Sequence, residues 1–138
     1  MADALLPSLR VVEIGQYVAA PFAATLLADQ GAEVVKIERP GGDPYRRYPG
    51  RWAAWNRGKT SVVLDLATGP GRDAALELID GADVVVENLR PGALGRLGVP
   101  LDELRARTTG LRRRGRCRIA PPLRNSSASN SEVSTCCP

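Results

Sequence analysis

The sequence predicts an α/β domain built on a parallel sheet. Three observations predict it: four short apolar runs (residues 9–14, 32–38, 60–66 and 83–87), helical spacing between them, and Gly or Pro at the junctions. Strands covered by helices on both faces read as nearly continuous apolar runs, and these do.

Each element has its own reason. Residues 9–14 (LRVVEI) enter Gly15 as a buried strand. After a loop, Pro21 suits the first turn of a helix, in which Phe22, Leu26 and Leu27 recur at helical spacing. Gly31 stands where a helix ends, and residues 32–38 (AEVVKIE) form a second strand, stopped by Pro40, Gly41 and Gly42. This is a βαβ unit, for which a right-handed crossover is expected. Residues 40–59 read as one long loop rich in Gly, Pro, Arg and aromatics, and loops of that length are usually functional or disordered. Residues 60–66 (TSVVLDL) are a third strand, and residues 70–80 a helix with Ala75, Leu78 and Ile79 inward, closed by Gly81. Residues 83–87 (DVVVE) are a fourth strand. Asn88 to Gly92 turn into a short helix reaching Leu97, and residues 100–108 make one more amphipathic helix.

The pattern then stops. Residues 111–138 read as a disordered Arg- and Ser-rich tail, so the fourth strand is expected to leave a bare sheet edge. Of 138 residues, 19 are Lys or Arg and 15 Asp or Glu, a net charge of +4. Residues 1–110 sum to −1, so the basic excess belongs to the tail and not to a folded face. A nucleic-acid reading would rest on six tail arginines with no groove-reading element, and no nucleic-acid partner is expected. No apolar run is long enough to span a membrane and no signal peptide is visible, so a cytoplasmic location is expected.

The absence of His excludes a Ser-His-Asp triad, a Cys-His pair and a His-ligated metal. No phosphate-loop or GxGxxG pattern follows the first strand. Cys117, Cys136 and Cys137 fit neither zinc nor redox spacing, and no metal site is expected. What remains lies beyond the carboxyl ends of the strands, where parallel sheets bind ligands. There the sequence puts Tyr17 and Val18 in a loop, Arg39, then Leu66 and Ala67, then Asn88, Leu89 and Arg90, with Arg96 a turn later. Three arginines on one rim suit a phosphorylated anion, because guanidinium pairs with phosphate bidentately.

The segments LRVVEIGQYVAAPFAATLLADQGAEVVKIERPGGDPYRR, NRGKTSVVLDLATGPGR and ADVVVENLRPGALGRLG, in that order, resemble the family III CoA-transferases of the CaiB/BaiF type and their relatives, the α-methylacyl-CoA racemases. The resemblance covers about residues 6–110. It implies a Rossmann-like domain, interlocked homodimers, coenzyme A or acyl-CoA as substrate, and no further cofactor. It also implies transfer of CoA between carboxylic acids through an aspartyl intermediate.

Residue by residue, the resemblance gives Arg39 to the CoA phosphate or adenine region. It gives Leu64, Asp65, Leu66 and Ala67 to a stretch along the adenine. Asn88, Leu89 and Arg90 go to the pantetheine and diphosphate, Arg96 to a further phosphate, and Tyr17 and Val18 to the thioester end. Asp43, Arg46, Arg47, Trp52, Asn56 and Lys59 match the segment between the second and third strands; Trp52 and Trp55 are expected to pack against a dimer partner more than to wall a pocket. The stretch around Gln16 to Pro21 and NRGK look more like a transferase than a racemase, and a non-catalytic CoA-binding or dimerisation fragment is the third reading.

The resemblance ends at Gly110 and Leu111. From Arg112 the chain matches nothing in the family, and a reading-frame change or truncation is the expected reason. On this reading residues 1–110 are an incomplete CoA-binding part, without the family's catalytic aspartate, poorly soluble and inactive alone.

Overall fold

The computed structural model describes residues 5–100 together with Glu132 and Val133. Four parallel strands, β1 (Arg10–Ile14), β2 (Glu33–Glu38), β3 (Lys59–Val63) and β4 (Val84–Glu87), lie in the order β3-β2-β1-β4. The register sets Val12 beside Val35 on one side and Val85 on the other. The chain moves outward from β1 through β2 to β3 and then returns to the far side of β1. With right-handed crossovers, that reversal puts the connecting helices on opposite faces. Helices α1 (Ala19–Asp29) and α2 (Pro49–Asn56) form one layer, and α3 (Gly69–Asp80) with α4 (Ala93–Arg96) the other.

The layers pack differently. On the α3 face Val12, Ile14, Ile37 and Val85 meet Ala75, Ile79, Leu94 and Val99, an aliphatic core. On the α1 face Val11, Val34, Val84 and Val86 meet Ala20 and Ala24. Small residues bring α1 close to the sheet. Phe22 and Leu26, whose spacing suggested an inward stripe, therefore point out, and Phe22 packs edge-on against Trp55 at 5.1 Å.

Three expectations need correction. The long loop over residues 40–59 holds a 3-10 turn, Pro44–Arg47, and the helix α2. Asp43 caps the turn by accepting from the Tyr45 N–H (2.8 Å), and Pro44 and Pro49 each sit in a first turn, where their missing N–H costs nothing. The third strand closes at Val63, not residue 66: Leu64 still donates to the Glu38 carbonyl, but the Asp65 carboxylate accepts from the Ala67 N–H and its carbonyl from Thr68 N–H, starting a turn. Lastly, the outer edge of β4 carries a two-residue antiparallel strand, β5 (Glu132–Val133), so its ladder groups at Val86 and Glu87 find a partner. The helix expected over residues 100–108 and the rest of the tail lie outside the described residues.

Candidate functional site

A cavity of about 350 Å³ opens at the carboxyl ends of the strands. Ile14, Gly15 and Gln16 reach it from β1, and Ile37, Glu38 and Arg39 from β2. Gly42 and Asp43 come from the turn that follows; Leu64, Asp65, Leu66 and Ala67 from the segment after β3; Leu89, Ala93 and Leu97 from beyond β4. Its walls are mostly aliphatic, with charge confined to Glu38, Arg39, Asp43 and Asp65, a composition suited to an organic ligand held by a few polar groups.

Two close approaches shape the mouth. A Cβ on Gly15 would stand 2.4 Å from the Ala20 Cβ and 3.0 Å from Asn88 Oδ1, so only glycine lets the loop after β1 pass beneath α1. Asn88 then joins the ends of β1 and β4: its Oδ1 accepts from the Gln16 N–H (2.9 Å) and its Nδ2 donates to the Gln16 carbonyl (2.8 Å). Next in the chain, Tyr17 takes the left-handed region at φ 65°, unusual for a residue with a Cβ. Its ring is half exposed and packs edge-on against Tyr45 at 5.5 Å.

Behind the cavity lies a buried ionic cluster. Lys36 Nζ donates to Glu13 Oε1 (2.5 Å) and to the Gly15 carbonyl (2.9 Å), and lies 3.3 Å from Asp43 Oδ2. Lys59 Nζ donates to Glu13 Oε2 (2.7 Å) and to the carbonyls of Pro21 and Trp55. Burial pushes the Lys59 ammonium below its ordinary pKa, and Glu13 only partly offsets this. Glu38 is held by both Arg46 Nε (2.8 Å) and Nη2 (2.6 Å), by the Ser61 hydroxyl and by the Asp43 N–H (2.8 Å). Burial raises its pKa; those donors outweigh it and lower the carboxyl from 4.5 to about 2. The Arg46 guanidinium covers the Trp52 ring at 3.9 Å.

Of the residues singled out in the sequence, Arg39, Leu64, Asp65, Leu66, Ala67 and Leu89 line the cavity together. Asn88 is spent on Gln16. Arg90 and Arg96 are exposed on the turn and short helix after β4 and do not line the cavity, and Tyr17 and Val18 are exposed beyond Gln16. Trp52 and Trp55 pack within the chain and do not wall the cavity. Sequence reasoning missed Asp43 and Glu38 as lining residues and the whole Glu13–Lys36–Lys59 cluster. An Asp before Pro at a helix start was the legible signal for Asp43. Among the described residues no cluster of three potential metal ligands occurs, and no helix is long and apolar enough to cross a membrane.

Residues 6–111 match the model of CoA-transferase family III. The chain is 44% identical over 115 residues to a succinyl-CoA–D-citramalate CoA-transferase of Chloroflexus aurantiacus, covering 77% of this chain and 29% of that protein. It is 43% identical over 116 residues to a probable fatty acyl-CoA transferase of Mycobacterium tuberculosis, with the same shares. A crystal structure of a CaiB/BaiF family protein from Brucella suis superposes with a TM-score of 0.72 at 35% identity, covering 76% of this chain and 31% of that one. The chain thus spans about 30% of the length of these relatives.

Proposed function

The chain belongs to CoA-transferase family III, and from that premise we propose that its cavity binds the nucleotide end of coenzyme A as one part of an acyl-CoA:carboxylate CoA-transferase. The observation that carries this reading is the convergence of four strand ends on one cavity with Arg39 among its lining. Arg39 is turned toward the Gly42 carbonyl, at 3.4 Å from Nε, and the rest of its guanidinium suits a phosphate. Leu64, Leu66 and Leu89 offer apolar surface to a base or to pantetheine.

In such a transferase a carboxylate attacks the thioester carbonyl, forming an acyl anhydride and releasing the CoA thiolate. The thiolate then attacks the enzyme-side carbonyl of the anhydride, which frees the donor acid and leaves an aspartyl thioester. The acceptor acid repeats the exchange in reverse. None of the groups lining this cavity is assigned as that nucleophile. These residues hold the remote end of the substrate, and that binding energy serves to position the thioester. Transferase is preferred to racemase because the relatives at hand carry transferase names.

Calorimetric titration of the chain with coenzyme A tests the reading. Saturable binding is expected, weakened roughly tenfold or more by Arg39→Ala, the loss expected for a charge-assisted contact. A chain with sharp near-ultraviolet dichroism that ignores millimolar coenzyme A would overturn it.

A further inference from the structure

The buried ionic cluster is closed to solvent, yet it holds the cavity lining from behind. Lys36 stands opposite Glu13 in the register of β1 and β2 and is 1% exposed. Its Nζ donates to Glu13 Oε1 at 2.5 Å and to the Gly15 carbonyl at 2.9 Å, with Asp43 Oδ2 at 3.3 Å. Lys59 holds the other Glu13 oxygen at 2.7 Å, so two ammonium groups and two carboxylates cancel in formal charge.

Neutrality explains why such a set can be buried, but not why it is charged. An apolar group of similar size would fill the same space at no loss of stability. It could not, however, hold a carbonyl. Gly15 lines the cavity and has no slack, since even a Cβ there would stand 2.4 Å from Ala20 Cβ and 3.3 Å from Glu13 Oε1. The strands that flank β1 each supply one hold on the chain leaving it. From β2, Lys36 takes the Gly15 carbonyl; from beyond β4, Asn88 takes both polar groups of Gln16.

We infer that Lys36 is a positioning residue for the ligand site: through the Gly15 carbonyl it fixes where the chain leaving β1 stands against a bound ligand. This role rests on reading the cavity as a coenzyme A site. Lys36 does not touch the ligand, and Asp43 serves as part of its counter-charge.

The test uses the full 138-residue chain and two variants. Lys36→Met combined with Asp43→Asn removes one charge of each sign, so Glu13 and Lys59 still cancel, and Asn keeps the cap on the Tyr45 N–H. Calorimetric affinity for coenzyme A should fall roughly tenfold or more in the double variant. It should stay within about threefold in Asp43→Asn alone, where Lys36 still holds Gly15. Amide hydrogen exchange at Gln16 should quicken about tenfold or more in the double variant while Val85 in β4 changes less than about threefold; a merely structural role would move both together. Wild-type affinity in the double variant, equal losses in both variants, or equal acceleration at Gln16 and Val85 overturns the inference. Should the double variant not fold, the wild-type chain decides: Gln16 should exchange about as slowly as Val85, and exchange at the rate of an open loop overturns it. If coenzyme A fails to bind the wild-type chain, the functional reading falls, and the exchange rates alone judge the hold on Gly15.

Discussion

On the α3 side of the sheet Val12, Ile14, Ile37 and Val85 pack against Ala75, Ile79 and Leu94, while on the α1 side the same two inner strands turn Glu13 and Lys36 inward, beside Lys59 of β3. Both faces are dry, yet they are held by different physics. The first gains stability in proportion to the apolar area removed from water, so a change of shape is felt as a cavity. The second gains from pairing: Glu13 with Lys36 and Lys59, Asp43 3.3 Å from Lys36, and the carbonyls of two helices satisfy most of one another's bonds. Removing one member of such a set strands the others without water.

The largest effect should follow from breaking that pairing. Glu13→Leu leaves Lys36 and Lys59 buried without their shared carboxylate, and should lower unfolding free energy by about 3–5 kcal/mol in chemical denaturation. A loss under about 1 kcal/mol would mean that the charged face is wetter than its burial indicates. Next, Ile79→Ala on the aliphatic face removes a fully buried side chain and should cost about 3 kcal/mol, with Ile79→Val nearer 1 kcal/mol. That graded response is what the charged face should lack.

Acid separates the faces more gently. Because Glu38 titrates near 2 in the folded chain against an ordinary 4.5, its contribution is complete above pH 4.5 and drains as pH falls from there toward 2. Allowing for solvent around the half-exposed Arg46, the loss should be about 1–2 kcal/mol, read from denaturation midpoints at falling pH, and Glu38→Gln should flatten that part of the slope. The smallest effect belongs to the surface. Arg57 pairs with Asp29 where both are well exposed, and Arg57→Ala should cost under about 1 kcal/mol and respond to salt.

The same contrast separates what the sequence discloses from what it hides. The aliphatic face is legible because Val12, Ile14, Val85 and Ile79 carry their burial in their residue type. Glu13 and Lys36 do not: a charged residue within a strand reads as a solvent-facing position, and only the register that sets Glu13 opposite Lys36 shows that they neutralise one another. The stretch after β2 was hidden for a local reason. Pro44, Gly50 and three arginines, Arg46, Arg47 and Arg51, mask a 3-10 turn and a helix whose starts depend on Asp43 and Pro49. At the candidate site, chain position was enough to place Arg39, Leu66 and Ala67 beyond strand ends, while Leu64 and Asp65 came from the family resemblance. Arg90 and Arg96 follow a turn whose direction position does not specify, and they emerge outside the cavity lining.

The paired hydrogen bonds between Asn88 and Gln16 carry a consequence of their own. A primary amide gives and takes at once, which neither a carboxylate nor a hydrocarbon can do against the same peptide group. The link therefore works as a rivet: the tip of β4 cannot shift without dragging the peptide that leads into Tyr17.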